Sequence, residues 1–352
     1  EECVEPLPSR CKSVVPTYTV EEKYAIMKEH VKNESEFYAG RMAAWDVVNE
    51  AICDCWLSFD DCEAYVNSAA GGANCGLSEL YSSDEIKVYL KKNIYWPDMP
   101  DYIGVAFNET KKFDTVASLG YNEYKNEAMT GWQQEKSDMT YQLIKSLKEQ
   151  NVPIDYVGFQ THIDLGYMDY ENGGGSTSGR TSDVSYLQSV KVNMNRYKAI
   201  GVEWHFTELT VALESTDDVF DTAAATNQAN LYKGLLDNCM EDLSHCTCFQ
   251  TWGFADDWTV AYEDLHPYPF DGQYNGKLAF DYMMSSMDAI RGTCSVDTWE
   301  ACGVDGDDDC CITGVECYVK SASFSQCRPS CPDNDAWDCH TNVGSGSGSG
   351  DE

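Results

Sequence analysis

The chain has 352 residues, room for one large domain and a small one. Lysine and arginine number 24 against 59 aspartates and glutamates, a formal charge of −35 that argues against nucleic acid or an anionic membrane as partner. Seventeen cysteines point to an oxidising compartment. No apolar run approaches the ~20 residues that span a bilayer.

In chain order, the apolar periodicity predicts helices near 19–38, 84–93, 132–149, 183–199, 223–240 and 276–290. Strands are predicted near 42–49, 116–121, 154–161, 203–208 and 247–253, so strands and helices alternate as in a parallel α/β fold. The run Ala44-Trp45-Asp46-Val47-Val48-Asn49-Glu50-Ala51 is the most informative of them. It is an apolar, β-branched stretch that stops at Asn-Glu, so the carboxylate emerges where the strand ends. Trp204-His205-Phe206-Thr207-Glu208-Leu209-Thr210-Val211 repeats the design. The carboxyl ends of barrel strands are where (β/α)-barrel enzymes place their chemistry. Two carboxylates on separate strand ends are the equipment of a glycosidase. Taken singly, either Glu could equally be a strand-end residue paired with a cation; the pair in these contexts is the stronger signal.

The motifs around these runs fall in a recognisable order. Trp45-Asp46-Val47-Val48-Asn49-Glu50 and Phe206-Thr207-Glu208-Leu209 resemble glycoside hydrolase family 10, the β-1,4-xylanases. Leu119-Gly120-Tyr121-Asn122-Glu123-Tyr124 resembles the family's fifth strand with its Asn-Asp-Tyr loop, and Ile154 to Ile163 its sixth. Phe249-Gln250-Thr251-Trp252-Gly253-Phe254, then Asp257-Trp258, resembles the eighth; Pro269-Phe270-Asp271 and Lys277-Leu278-Ala279-Phe280 resemble the closing segment. The resemblance implies that Glu50 is the general acid/base and Glu208 the nucleophile. It places Asn49 on the sugar 2-OH, and Asn122, Tyr124, Gln160 and His162 around the substrate. Trp252 and Trp258 would offer flat faces to sugar rings. The chemistry is coherent without the name. An acid must protonate a poor leaving group, and a second carboxylate must meet the positive charge left on carbon; retaining enzymes hold the two groups about 5–5.5 Å apart. Glu50 must therefore keep its proton near neutrality, beside apolar neighbours such as Trp45 and Trp252. No metal and no cofactor are required.

Two departures stand out. Where the family has an Asp hydrogen-bonded to the His of Gln-x-His, this chain has Thr210, which can accept a hydrogen bond but carries no charge. The fold expected is an α/β, (β/α)8 TIM barrel of which about five C-terminal βα units are present, since the first recognisable element matches the helix after the family's third strand. Either a separate N-terminal chain, free or disulfide-linked, completes the barrel, or the chain belongs to a longer one, or the fold has become a non-catalytic module. An open sheet edge is otherwise a liability.

Residues 1–291 hold nine cysteines, at 3, 11, 53, 55, 62, 75, 239, 246 and 248. Those at 53, 55, 62 and 75 would staple the long loop after Glu50. The odd count leaves one without a mate: it bonds a partner chain, or Cys248 is a free thiol. Asn33-Glu34-Ser35 and Asn108-Glu109-Thr110 are glycosylation sequons. Asp305 to Asp309 reads as a solvated acidic loop rather than a cation site. Residues 292–340 form a cystine-rich segment too short for a core of its own. It resembles a family 1 carbohydrate-binding module, with Trp299, Tyr318 and Phe324 as glycan-stacking candidates; a plain disulfide knot is the alternative. Residues 341–352 are a Gly/Ser linker or tail. The absence of a signal peptide suits a processed chain. The expected protein is a secreted, extracellular, retaining endo-β-1,4-xylanase-like hydrolase acting on a xylan-like polysaccharide. The rival is an extracellular structural or glycan-binding scaffold built on an inactive barrel.

Overall fold

The computed structural model of the protein describes residues 18–54, 62–92, 98–129, 133–165, 183–213, 222–256, 265–291, 316–321 and 324–328. Trp258, Trp299, the acidic loop and the Gly/Ser tail lie outside them.

The first helix, α1 (Val20–Tyr38), starts at a capping box. The Thr19 side chain accepts the Glu22 N–H at 3.2 Å and the Glu22 carboxylate accepts the Thr19 N–H at 2.8 Å. Strand β1 (Ala44–Asn49) follows. Next comes an insertion built of α2 (Cys62–Asn67), α3 (Ala69–Asn74), β2 (Cys75–Leu77) and β3 (Tyr89–Lys91). Then α4 (Tyr102–Phe113), β4 (Ser118–Glu123), α5 (Gln133–Glu149), β5 (Tyr156–Phe159), β6 (His162–Asp164), α6 (Asp183–Ala199), β7 (Glu203–Ala212), α7 (Thr222–Met240), β8 (Cys246–Thr251) and α8 (Leu278–Arg291) complete the alternation.

Strands β1, β4, β5, β7 and β8 pair in that order, every pair parallel. These are the five strands expected from the sequence, each within a few residues of its anticipated bounds. The central strands are buried along their length, as a parallel sheet covered on both faces requires. Leu119, Tyr121, Val157, Phe159, Trp204 and Phe206 are the sheet's contribution to the core. Leu143, Ile144, Leu147, Val190, Met194 and Tyr197 face them from α5 and α6. β1 differs: Asp46 and Asn49 are exposed, and only β4 borders it among the described strands.

Two departures from expectation lie between β1 and β4. Residue 93 lies outside the described residues, and residues 84–92 are not helical. They supply β3, which runs antiparallel to β2 (Cys75↔Lys91, Leu77↔Tyr89) and bridges Ile52↔Leu90. β-branched Ile86 and Val88 favour extended backbone, and the partner strand settles the matter. Conversely, α4 escaped notice because Gly104 and Val105 weaken its intrinsic propensity. It forms because Tyr102, Ile103, Ala106, Phe107 and Thr110 make one buried stripe, with Lys111 and Lys112 favourably placed in the last turn.

Internal contacts divide the chain into two units. The first, 1–163 with 168–210 and 244–252, holds most of the sheet. In the second, α7 packs on α8, and Gln228 Nε2 donates to the carbonyls of Val211 and His266, both at 2.7 Å. The Lys277 ammonium meets the buried Asp256 carboxylate at 3.1 Å. In the tail, β9 (Glu316–Ser321) and β10 (Phe324–Arg328) pair antiparallel. Tyr318 lies on one strand and Phe324 opens the other.

Candidate active site

The described site residues of the first unit gather toward the carboxyl ends of the parallel strands, Glu208 alone lying well inside its strand. Asn49 ends β1 and Glu50 follows it; Asn122 lies near the end of β4; Gln160 follows β5; Glu208 lies toward the end of β7; Trp252 follows β8. The parallel register makes these ends neighbours, with Asn49 directly beside Asn122.

Hydrogen bonds join them into one chain. Asn122 Nδ2 donates to Glu208 Oε1 at 2.8 Å and to Asn49 Oδ1 at 3.0 Å. Gln160 Nε2 donates to Asn49 Oδ1 at 3.2 Å and to Glu50 Oε1 at 2.9 Å. The two carboxylates are thus connected through three amide side chains: Asn122 and Gln160 each donate to one carboxylate, and Asn49 Oδ1 accepts from both of them. Thr207 Oγ1 donates to Asn122 Oδ1 at 2.7 Å and fixes which way that amide points. Gly158 makes room for it, since a Cβ there would lie 2.3 Å from Asn122 Oδ1.

On the far side of Glu208, His162 Nε2 lies 3.3 Å from Oε2 and His162 Nδ1 lies 3.1 Å from Thr210 Oγ1. A neutral hydroxyl therefore occupies the position where the family carries a carboxylate. The carboxylate is 15% exposed and the imidazole 20%, shielded yet open to a ligand. Trp252 stands edge-on to His162, ring centres 6.4 Å apart, and is 59% exposed, leaving aromatic surface uncovered. Lys125 Nζ donates to the His162 carbonyl.

Three site residues, Glu50, Lys125 and Thr161, have left-handed backbone without being glycine. Glu50 has φ 55° and Thr161, between Gln160 and His162, has φ 61°. Such conformations cost roughly 1–3 kcal/mol and gather where the surroundings impose them for function. For Thr161 the surroundings are a fully buried side chain donating to the Phe159 carbonyl at 3.0 Å. For Glu50 they are a polar network beneath the following turn. The N–H groups of Ala51 and Ile52 both donate to Tyr121 Oη, at 3.0 and 3.1 Å. Burial, and then the Glu123 charge, raise the Tyr121 hydroxyl far above its ordinary range, so it keeps its proton and donates to Glu123 Oε2 at 2.6 Å. Glu123 Oε1 meets Lys136 Nζ at 2.9 Å, with both side chains fully buried. Lys136 also meets Asp54 at 3.0 Å and lies 3.3 Å above the Tyr124 ring. Burial acts upward on Asp54, but Lys136, Tyr124 and Lys91 hold its carboxyl below the usual range. Tyr124 is half-buried here, underlying the site through Lys136 and Asp54.

Sequence reasoning missed Thr207, Lys125 and the Tyr121–Glu123–Lys136 group. Glu123 stood inside a quoted motif, but nothing in the sequence distinguishes Lys136 from a surface lysine of an amphipathic helix.

Cys53 and Cys75 form a disulfide, Cα–Cα 5.8 Å, closing the insertion directly after the Glu50 turn. Cys62, Cys239 and Cys246 are also disulfide-bonded, and Cys248 is a half-buried free thiol whose pKa burial raises. Asn33 and Asn108 are exposed on α1 and α4, with Asn108 Nδ2 donating to the Gly104 carbonyl at 2.8 Å.

An amide-linked pair of glutamates thus lies among parallel strands of an α/β fold. The family model Glycosyl hydrolase family 10 matches residues 7–68 and 83–286, and the chain belongs to that family. It is 28% identical over 265 residues to endo-1,4-β-xylanase B of Thermotoga neapolitana, covering 74% of this chain and 60% of that one. To endo-1,4-β-xylanase B of Neocallimastix patriciarum it is 27% identical over 261 residues, covering 73% and 23%. The chain thus spans less than two thirds of the length of these relatives. The crystal structure of xylanase 10B from Thermotoga maritima shares the fold, with a TM-score of 0.56 at 24% identity over 81% of this chain and 72% of that one. The fold is accordingly that of a family 10 TIM barrel, represented here by five βα units. Among the described residues no helix is long and apolar enough to cross a membrane.

Proposed function

We propose that the protein is a secreted, retaining endo-β-1,4-xylanase-like hydrolase in which Glu208 is the nucleophile and Glu50 the general acid/base. The observation that carries this reading is the hydrogen-bonded path Glu50–Gln160–Asn49–Asn122–Glu208 across four parallel strands. In the first step Glu50 protonates the departing glycosidic oxygen while Glu208 attacks the anomeric carbon, forming a glycosyl-enzyme ester. In the second, Glu50 takes a proton from water, which displaces Glu208. Asn122 and His162 hold the nucleophile's two oxygens, and Asn49 is placed to meet the sugar 2-OH as charge builds on the ring. Trp252 and Trp258 receive further sugar rings, and the tail, through Trp299, Tyr318 and Phe324, adds a second glycan contact. Exposure of Asn33 and Asn108 and the cystine content support an extracellular glycoprotein.

A scaffold that binds glycan without cleaving it is the second reading. It is favoured by β1, which has one strand neighbour among the described residues and leaves Asp46 and Asn49 exposed. Reducing-sugar release from xylan, measured for the protein beside its Glu208→Gln form, separates the two. Turnover that vanishes in the variant is expected; folded protein that retains xylan and releases nothing would establish the scaffold.

A further inference from the structure

Glu50 holds a left-handed conformation at the end of a strand that pairs, among the described residues, with β4 alone. Glutamate gains nothing from φ 55° by itself. The residues that impose it lie beneath the next two peptides. Ala51 and Ile52 turn their N–H groups inward to a single acceptor, Tyr121 Oη, and Ile52 reaches Glu123 Oε2 as well, at 3.2 Å. Tyr121 is oriented by donating to Glu123, and Glu123 is oriented by Lys136 and by the Tyr124 N–H at 3.1 Å. Lys136 in turn is held by Asp54, four residues after Glu50, so the network closes on the segment it supports. Tyr121, Glu123 and Lys136 are wholly buried. Burying an ion pair is a weak device for stability, since apolar residues of the same volume usually serve as well. It is a good device for fixing hydrogen-bond direction, because every donor and acceptor in it has one partner geometry.

We infer that Tyr121, Glu123 and Lys136 are positioning residues for the general acid, aiming the Glu50 carboxyl by clamping the turn that follows it. The inference rests on the acid/base reading of Glu50. Glu50 Nα is fixed by the Asn122 carbonyl at 2.9 Å and its Oε1 by Gln160, so the clamp supplies the third constraint, on the chain leaving the residue. A misdirected acid slows departure of a poor leaving group and hardly touches an activated one, whereas a merely loosened fold slows both together.

The test compares kcat/KM, which reports the glycosylation step, on phenyl and 2,4-dinitrophenyl β-xylobiosides. Tyr121→Phe removes the shared acceptor while keeping the ring. The double variant Glu123→Gln with Lys136→Met removes the ion pair without leaving a lone buried charge, and carries the test if Tyr121→Phe fails to fold. Folding is checked by circular dichroism and thermal unfolding. For a positioning role, the phenyl substrate should lose on the order of 30-fold and the dinitrophenyl substrate less than about 3-fold. Equal losses on both, or none on either, would overturn it. Glu50→Ala run alongside separates the two claims. If it shows the selective loss and the clamp variants do not, the clamp alone is refuted; if it does not, the acid assignment fails and the clamp with it.

Discussion

Glu208 stands inside a ten-residue strand with β5 on one side and β8 on the other, whereas Glu50 stands one residue past a six-residue strand bordered only by β4 among the described strands. The ladder holds the chain on either side of Glu208, with Phe206 paired to β5 and β8 and Leu209 to β8, and Asn122 and His162 orient its oxygens. Glu50 has the β4 neighbour alone among the described strands. Its position is made up by side chains: Gln160 on the carboxylate, Tyr121 under the turn, a buried ion pair below, and a disulfide that closes the insertion. Among the described residues, the strand with neighbours on both sides carries few supporting polar groups at the site, and the strand with one neighbour has a buried polar network beneath its end.

That contrast can be broken in order of expected size. Replacing Glu208 with Gln should lower xylan turnover by at least ~10³-fold with glycan binding retained, because the covalent route is lost while the strand is untouched. Residual full activity would remove Glu208 from the mechanism. Replacing Lys136 with Met leaves Glu123 buried and uncompensated, and unfolding measurements should show a loss of about 3–5 kcal/mol. Removing the Cys53–Cys75 bridge, which closes a separation of 22 residues, should cost about 2–4 kcal/mol. Both losses fall on the Glu50 side, and values near zero would mean the side-chain frame is not needed there.

The β7 side has its own signature in pH. Burial lowers His205 from 6.5 to about 4, with its ring stacked on Tyr156 at 3.8 Å and Nε2 on Thr247 Oγ1 at 2.8 Å. The unfolded chain takes up the proton first, so the stability that neutral His205 contributes is complete above pH 6.5 and is lost as pH falls toward 4. His205→Phe should flatten the fall in urea midpoint between pH 7 and pH 5; an unchanged slope would assign it to other groups. The smallest effect is expected at Thr210→Val, about 1 kcal/mol, from leaving His162 Nδ1 without its partner.

How much of this was legible in the sequence follows the same division. The five parallel strands could be read because they are apolar runs ending in polar residues, and the two glutamates because each closes such a run. Asn49, Glu50, Asn122, Gln160, His162 and Glu208 lie in one hydrogen-bonded cluster, with Thr210 on His162, and their catalytic roles belong to the proposed reading. The insertion was misread because its strands are three residues long and held by pairing with residues far away in sequence, which local periodicity does not encode. Lys136 was invisible for a related reason: its neighbours on α5 are polar, and only the packing of α5 against β4 and Asp54 turns it inward. Trp258 and Trp299 fall outside the described residues, and their sugar-stacking roles rest on resemblance.

The most direct measurement is the anomeric configuration of the first product released from xylo-oligosaccharide, followed by proton NMR before mutarotation. Attack by Glu208 followed by water activated at Glu50 predicts the β-anomer first. An α-anomer appearing first would mean a single displacement by water, and would contradict the assignment of Glu208 as a covalent nucleophile.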